Sequence, residues 1–339
     1  MTPTPEDALI CHPDTGFITV AGDEACAFLQ SIITANVETL AVGACRPSAL
    51  LTPQGRVLID MMVYRLGESR FLLRSDAARR DDLFTRLRRY RLRRPIDLAV
   101  EPDIRLLLIP GAATPNMDGV LGSINPIMAC PDPRSSSLGT HCLVEARDLP
   151  AKSGRIDRWH TKRIAAAIPE GPVDLTPERA LMLEAGLDRL GAVDFDKGCY
   201  VGQEVTARTH YRGLVKRRLV PLIVRGAPPP VDSEIIVNEK SIGNSKTSAP
   251  YTIPASATPN HDGQNHDGQN HNSQNHDGQN GDSQSSPDLP SSICLALLKL
   301  SDIHLVLDDE AHNRLSVNGE AAELALPDWM LPLPRPAKA

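Results

Sequence analysis

The eight-residue segment Lys197–Glu204 constrains the backbone of this chain more than any other short stretch, because two glycines there bracket one cysteine. Glycine has no Cβ and tolerates positive φ, so Gly198 and Gly202 predict a tight turn that presents Cys199 and Gln203. The lysine that begins the segment favours the thiolate if its side chain converges with the thiol, and the thiolate is the nucleophile and metal ligand. The alternative is a buried, packed free cysteine in a polar turn.

Length and composition indicate a globular protein of several domains. The chain has 339 residues, which exceeds a usual single core of roughly 100–200 residues and predicts two or three domains. Its hydrophobic content of 41% suffices for ordinary cores. No run approaches the about 20 apolar residues of a membrane span, so no membrane association is expected. The first residues lack the features of a secretion signal or a mitochondrial presequence, which predicts a cytoplasmic location.

The cysteines indicate reduced thiols rather than a disulfide framework. There are seven, an odd number with no CxxC pair, at positions 11, 26, 45, 130, 142, 199 and 294. Their scatter gives no motif for a stably held iron–sulfur cluster. No firm metal site is therefore predicted, and Cys199 is a candidate for a transient ligand.

Eight arginines lie between Arg79 and Arg94, although the net charge of the chain is −6. Leu83, Phe84 and Leu87 form an apolar stripe at helical spacing in the same segment, which predicts an amphipathic helix with a basic face. One interpretation is a solvated helix surface. The other is a phosphate-contacting face for RNA, because arginine binds phosphate strongly.

The order of the predicted elements gives the organisation of the chain. Strands at 17–20, 57–66, 71–74, 96–100 and 104–109 are expected, with helices at 23–33, 159–167 and 177–184. Residues 51–103 therefore predict a β-β-α-β layer. Short apolar runs after Gly213, including one at 303–307, predict a β-rich terminal domain.

A low-complexity run interrupts this terminal region. The unit Asn-His-Asp-Gly-Gln begins at Asn260 and again at 265 and 275, with degraded copies at 270 and 280. Such a run has almost no apolar surface to bury, so residues of about 254–289 are expected to form a disordered insertion. Its flanks, Ser241–Gly243 and Ala296–Leu297, are predicted to be neighbouring barrel strands with a lengthened connection.

The segment Lys197–Glu204, followed by Ala207-Arg208, resembles the signature of the YgfZ family, which is related to the glycine-cleavage T-protein. Further blocks that resemble this family occur in the same order: Phe28-Leu29-Gln30, Thr34-Ala35-Asn36-Val37, Leu51-Thr52-Pro53-Gln54-Gly55-Arg56-Val57 with Asp60, Trp159, Arg163-Ile164, Ile168-Pro169-Glu170, Pro177-Glu178 and Leu183-Glu184-Ala185-Gly186. The resemblance covers roughly residues 8 to 330.

The resemblance implies an α+β fold: a three-domain ring like the glycine-cleavage T-protein, with a carboxyl-terminal β-barrel and a channel that holds a folate. The implied parts are a folate-binding domain of residues 1–50 plus 104–212, a small α+β domain of 51–103, and a barrel domain of 213–335. The chain is expected to be a monomer.

The resemblance also implies the site residues. Glu184 takes the place of a carboxylate that grips the pterin ring, and one carboxylate can accept two adjacent N–H donors. Arg208 suits the glutamate tail of the folate, with an ion pair to Glu204 as the alternative, and Asp60 approaches the reactive folate nitrogens or caps a turn. Tyr200, Gly198 and Gly202 are assigned to the same folate site, and Lys197, Gln203 and Glu204 to the centre around Cys199.

Three functions follow as alternatives. The first is a folate-binding accessory factor for iron–sulfur cluster assembly or repair, in which Cys199 transiently handles sulfur, iron or a cluster on client proteins such as tRNA-thiolating enzymes. The second is a tetrahydrofolate-dependent aminomethyl or one-carbon transferase, which needs an acid to protonate the leaving amine. The third is an RNA-binding module that uses the Arg79–Arg94 helix. The cysteine-centred motif favours the first.

Overall fold

A computed structural model describes residues 9–111, 121, 124–252, 291–308 and 315–334. The predicted insertion at 254–289 lies outside these residues. In chain order the described strands are β1 (Ile10–His12), β2 (Thr15–Ala21), β3 (Cys45–Leu51), β4 (Val57–Gly67), β5 (Arg70–Asp76), β6 (Asp97–Val100), β7 (Ile104–Ile109), β8 (Met128–Pro131), β9 (Thr140–Glu145), β10 (Arg217–Arg225), β11 (Glu234–Val237), β12 (Lys240–Tyr251), β13 (Ser291–Lys299), β14 (Leu315–Val317) and β15 (Glu320–Leu324).

The described helices are α1 (Ala25–Ile32), α2 (Arg80–Arg91), α3 (Ile156–Ala165), α4 (Gly171–Asp174), α5 (Gln203–Tyr211) and α6 (Leu300–Asp308), with short 3₁₀ turns at Ala77–Arg79, Ser136–Leu138, Ala146–Asp148 and Asp328–Met330. None of the helices in the described part of the chain is long and apolar enough to cross a membrane.

Two antiparallel sheets form the first half of the molecule. The five-stranded sheet has the order β3-β4-β5-β2-β6, and the four-stranded sheet has the order β1-β7-β9-β8. The inner strands β2 and β5 are buried on both faces, which explains why Phe71–Leu73 is a continuous apolar run and why Phe17–Val20 is apolar except for Thr19. The edge strand β6 alternates between exposed and half-buried residues instead.

The second half contains a closed barrel of the order β10-β13-β12-β11-β14-β15. Strands β12 and β13 pair in antiparallel register, with Gly243 opposite Leu298 and Asn244 opposite Leu297. The prediction that the two flanks of the low-complexity run are neighbouring barrel strands is therefore confirmed.

Two predicted elements are wrong. Residues 177–184 form turns rather than a helix, because Glu178 has φ of +60° and its N–H donates to the carbonyl of Val57 at 2.7 Å. The apolar run at 303–307 belongs to α6 rather than to a strand. A short apolar run in the sequence does not distinguish a buried helix from a buried strand. In the structure this run is helical and contacts β13.

The predicted domain boundary after residue 50 needs correction as well. It falls inside β3, and β2 of the first segment lies between β5 and β6 of the second segment in one sheet. A cut at residue 50 would therefore break a continuous ladder of backbone hydrogen bonds. The predicted β-β-α-β order from residue 51 to 103 is confirmed as β4, β5, α2 and β6.

Candidate functional site

The loop that carries Cys199 is held on its amino-terminal side by a buried lysine. The Nζ of Lys197 donates to the carbonyls of Ile33 at 2.8 Å and Ala35 at 2.6 Å, and it lies 5.2 Å from the centre of the Tyr200 ring. Burial lowers the pKa of Lys197 to about 8, against the opposing attraction of Asp194. The side chain therefore points into the protein, and its hydrogen bonds go to backbone carbonyls rather than to the Cys199 thiol.

A glycine contact holds the other side of the loop. Gly202 has φ of +83°, and a Cβ there would lie 2.5 Å from the carbonyl oxygen of Thr52. Gly55 has φ of +73° and faces Gly202 from the opposite side, where its Cβ would meet the Gly202 carbonyl at 3.3 Å. These contacts bring the 52–55 turn against the start of α5, so Gly202 is required by both conformation and space.

Between these two anchors the thiol faces solvent. All seven cysteines lie in the described residues, and among them Cys199 alone is exposed. Gly198 has open space around its Cα and no positive φ, so the turn does not require a glycine there. The prediction that the loop presents Cys199 on the surface is confirmed by its exposure.

The other residues of the motif play supporting parts. Tyr200 is buried, and burial raises the pKa of its phenol to about 12. Its backbone N–H donates to Oε1 of Gln203, at 3.4 Å, so the Gln203 side chain closes the first turn of α5. Glu204 is exposed on the same helix.

Glu184 lies in a polar cleft at the side of the barrel, with a volume of about 510 Å³. Its carboxylate accepts from the Nε–H and an Nη–H of Arg217 at 3.2 and 3.0 Å. The Arg217 side chain is 44% exposed, whereas that of Glu184 is 9% exposed. Further charged residues that line the cleft are Asp174, Arg179, Asp232, Lys246 and Lys299. This cleft can hold a polar ligand with both N–H donors and anionic groups.

Arg208 does not belong to this cleft. It lies exposed on α5 and lines none of the described cavities, and no ion pair joins it to Glu204 within the described ranges. The structure therefore does not bring Arg208 together with Glu184.

Asp60 lines a separate cavity of about 230 Å³, near the junction of both sheets and the barrel. Burial raises the pKa of Asp60, although its Oδ2 accepts the backbone N–H of Gly171 at 3.0 Å. His12 lines the same cavity, is 6% exposed, and has a hydrogen-bond partner for neither ring nitrogen among the described residues. His160 also lines it, and burial lowers the pKa of His160 to about 4.

A buried charge cluster around Glu170 forms one wall of the Asp60 cavity. The Glu170 carboxylate is hydrogen-bonded to Arg74 and lies 3.8 Å from Arg134 and 3.9 Å from Arg163. Burial by itself would raise the pKa of Glu170, but the charge of Arg74 and further neighbours hold it well below its usual range. Three arginines from three parts of the chain thus converge on one carboxylate, which pairs directly with Arg74.

Asp174 connects the two clefts. It lines the Glu184 cleft, and its Oδ2 accepts from Arg163 at 2.7 Å and from the backbone N–H of Glu170 at 3.0 Å. Its Oδ1 accepts from the backbone N–H of Thr247 in the barrel at 3.0 Å. One buried carboxylate therefore forms part of a wall that the two clefts share.

The arginine-rich segment forms α2 as predicted. Arg79 and Arg86 are paired with Asp82, whereas Arg88 and Arg89 are exposed on the solvent side. RNA binding by this face stays a prediction, and unchanged RNA retention after charge reversal of Arg88 and Arg89 would contradict it.

Sequence reasoning missed His12 and the partners of Glu170 as site residues. One local signal was present, since Arg74 interrupts the apolar strand Phe71–Leu73, and an arginine buried in a central strand needs a carboxylate. The sequence gives no indication of which carboxylate meets it, because Glu170 lies 96 residues away.

The sheets, the barrel and the cavities between them define a protein of the glycine-cleavage T-protein fold. The crystal structure of the glycine cleavage system aminomethyltransferase T from Bartonella henselae matches with a TM-score of 0.64 at 16% identity, over 88% of this chain and 80% of that chain. A model of the GCVT N-terminal domain family matches residues 13–106. The predicted fold class is therefore confirmed.

The chain belongs to the family of IBA57 iron–sulfur cluster assembly factors. It is 33% identical to the Homo sapiens protein "Iron-sulfur cluster assembly factor IBA57, mitochondrial" over 246 residues, which is 65% of this chain and 68% of that protein. The homologue from Neurospora crassa is 33% identical over 238 residues, and the Mus musculus protein is 33% identical over 236 residues. The matches span 54% of the Neurospora crassa protein and 65% of the Mus musculus protein.

These relatives correct one expectation from the sequence. The names of all three relatives contain the word "mitochondrial". The predicted cytoplasmic location is therefore wrong.

Proposed function

We propose that this chain is an accessory factor for iron–sulfur cluster assembly, in mitochondria, with Cys199 as its functional thiol. The observation that carries the proposal is the exposure of Cys199 on a loop fixed at both ends by buried contacts. The names of the relatives support the same function. The finer similarity to the YgfZ family, and clients such as tRNA-modifying iron–sulfur enzymes, are part of this proposal.

The chemistry of the thiol explains the role of the rigid loop. A thiolate is a good ligand for iron and a nucleophile for sulfur, and both reactions need an approach from solvent. A single cysteine supplies one of the four ligands that a [2Fe–2S] cluster takes. The remaining ligands would come from a partner protein, and a fixed loop lowers the entropy that such docking costs. The chain acts as a monomer in this proposal.

The test is Cys199→Ser in cells whose own copy is removed, with the half-exposed Cys11→Ser as the matched control. The activity of iron–sulfur enzymes should fall to the level of the deletion with Cys199→Ser and stay at the wild-type level with Cys11→Ser. Both purified variants should keep the wild-type Tm and tetrahydrofolate affinity. Full enzyme activity with Cys199→Ser would refute the role of the thiol.

We further propose that the Glu184 cleft binds the pterin end of a tetrahydrofolate. The buried carboxylate can accept adjacent pterin N–H groups with its remaining lone pairs, and the cations of the cleft suit an anionic tail. Glu184→Gln should weaken tetrahydrofolate binding by about 10-fold or more in calorimetric titration, because a charged hydrogen-bond acceptor is lost. Arg208→Ala, at a residue that does not line this cleft, should bind as the wild type does. Equal affinity of Glu184→Gln and the wild type would reject the site.

One observation favours the transferase as the second candidate function. Asp60 lines the central cavity, and burial raises the pKa of its carboxyl, as a general acid requires. Purified protein would then form methylene-tetrahydrofolate from an aminomethyl donor, and Asp60→Asn would abolish the reaction. Absence of product with the wild type would leave the assembly factor.

A further inference from the structure

Two buried thiols meet where the two sheets pack on each other. Cys45 begins β3 and Cys130 lies in β8, and their Sγ atoms are 3.0 Å apart. Cys45 is 7% exposed and Cys130 is 3% exposed. A disulfide has an S–S distance of about 2.05 Å, so a closure of about 1 Å separates this contact from a bond.

The pairing of the strands places both cysteines on facing surfaces. Cys45 lies opposite Tyr64 in the β3–β4 ladder, and Cys130 lies opposite His141 in the β8–β9 ladder. Across the sheets, the Tyr64 hydroxyl is 2.9 Å from Nδ1 of His141. The cross-strand pair Cys45–Tyr64 therefore faces the pair Cys130–His141. The two sulfurs form one contact between the pairs, and the Tyr64–His141 hydrogen bond forms the other and holds the thiol contact in register.

The pair differs from the other cysteines. Cys142 and Cys294 are equally buried, yet no hydrogen-bond contact joins either of them to another sulfur anywhere in the described ranges. Burial raises the pKa of Cys142 to about 11 and that of Cys294 to about 12. These two are packed thiols, whereas Cys45 and Cys130 form a dithiol.

We propose that Cys45 and Cys130 form a buried redox site, in which hydrogen peroxide oxidises the two thiols to a disulfide that links the five-stranded sheet to the four-stranded sheet. Peroxide fits as the oxidant because it is small and uncharged, and it can reach a buried pair through local opening of the structure. This site goes beyond the proposed function and does not depend on it.

The reaction balances in two steps. The sulfur of Cys45 attacks one peroxide oxygen, the O–O bond breaks, and a water leaves with the thiol proton to give a sulfenic acid. The sulfur of Cys130 then attacks the sulfenic sulfur, the S–S bond forms, and the hydroxyl leaves as a second water with the Cys130 proton. Two thiols and one peroxide thus give one disulfide and two waters.

His141 lies beside the thiol pair, where a hydrogen bond with Cys45 contributes to its electrostatics. Its Nε2 is 2.9 Å from Oδ2 of Asp132, which is fully buried and paired with Arg134. Burial alone would lower the pKa of His141, but Asp132 outweighs it and raises the pKa. The hydrogen bond with Cys130 and burial raise the pKa of the Cys45 thiol, which predicts slow oxidation at neutral pH.

The disulfide would change the stability of the fold. Its ends are 85 residues apart in sequence, so it would close a long loop in the unfolded chain and lower the entropy gained on unfolding. A cross-link of this length predicts a rise in Tm of roughly 5–10 °C on oxidation, reversed by dithiothreitol.

The test uses full-length protein with Cys199→Ser, which removes the exposed thiol and keeps the buried pair. After treatment with hydrogen peroxide and alkylation, mass spectrometry of a non-reduced digest should show a Cys45–Cys130 linked peptide, together with the reversible rise in Tm. Adding Cys142→Ser, a buried cysteine of β9, should leave the linked peptide in place, whereas adding Cys130→Ser should remove it. In the protein that keeps both Cys45 and Cys130, absence of the linked peptide, or sulfinic acid on Cys45 in its place, would overturn the proposal.

Discussion

The loop 197–204 and the cluster around Glu170 both join distant parts of the chain, yet they use polar groups in opposite ways. In the cluster, the Glu170 carboxylate lies close to Arg74, Arg134 and Arg163, so the charges are paired with neighbours inside the fold. In the loop, buried contacts of Lys197 and Gly202 fix the backbone and leave the Cys199 thiol in solvent. Polar groups that are fully paired stabilise the contact between distant segments. A reactive side chain stays exposed to solvent when neighbouring residues, rather than the side chain itself, make the buried contacts.

The comparison predicts the largest loss of stability in the cluster. Glu170→Gln leaves the buried Arg74 without its carboxylate and should lower the free energy of unfolding by about 3–5 kcal/mol in denaturant titration. The exposed Glu204→Gln is the control and should change it by less than about 0.5 kcal/mol. Because the pKa of Glu170 is lowered, its stabilisation is present above the unfolded pKa and is lost as pH falls through the folded-state pKa. Equal stability of both variants would remove the contrast.

The glycine anchor should come second. Gly202→Ala places a Cβ 2.5 Å from the Thr52 carbonyl oxygen at positive φ, and should cost about 2–4 kcal/mol of unfolding free energy. Gly198→Ala, four residues earlier in open space, should leave the unfolding curve nearly unchanged. If the two alanine variants unfold at the same denaturant concentration, the loop is not held at Gly202.

The lysine anchor should have a smaller effect that depends on pH. Lys197→Met leaves the carbonyls of Ile33 and Ala35 without their donor and should cost about 1–2 kcal/mol at pH 7. The folded-state pKa of about 8 lies below the ordinary 10.5, so the unfolded chain binds more protons between these values. The buried Lys197 therefore makes the wild-type free energy of unfolding rise with pH between about 8 and 10.5. The free-energy cost of burying its charged ammonium is fully present below pH 8.

The pH series provides its own check. The difference in unfolding free energy between wild type and Lys197→Met should widen from pH 8 to pH 10, measured in reductant. The exposed Lys216→Met should follow the wild type at every pH. Parallel curves for wild type and Lys197→Met would mean that the lysine titrates normally.

The smallest change in stability should come from the thiol for which we propose the functional role. Cys199→Ser alters an exposed side chain and should shift the unfolding free energy by less than about 0.5 kcal/mol. In the wild type, the Cys199 thiol should react with a water-soluble maleimide at least about 100-fold faster than Cys45 or Cys130, since burial protects those two. Comparable labelling rates by mass spectrometry would break the contrast between the exposed loop and the buried interior.

Much of the fold was predictable because its signals are local. The mostly apolar strands β2 and β5 and the amphipathic pattern of α2 each follow from neighbouring residues. The pairing of β12 with β13 is not local, and it was predicted because these strands flank the low-complexity run. The turn at 177–184 was not predictable as such, because its conformation depends on backbone bonds to Val57 in β4. The division of the first half into domains also failed at residue 50, where sheet order rather than chain order decides.

By itself the sequence determined which side chains could react and where the backbone had to turn: a thiol beside a glycine, an arginine in an apolar strand, and a polar run inside a barrel region. Only the tertiary structure decided where Lys197 points, which carboxylate meets Arg74, and that Cys45 touches Cys130. The physical reason is distance along the chain. Backbone conformation and amphipathic pattern are set by residues a few positions apart, whereas a buried charge or thiol finds its partner only when sheets from distant segments pack together.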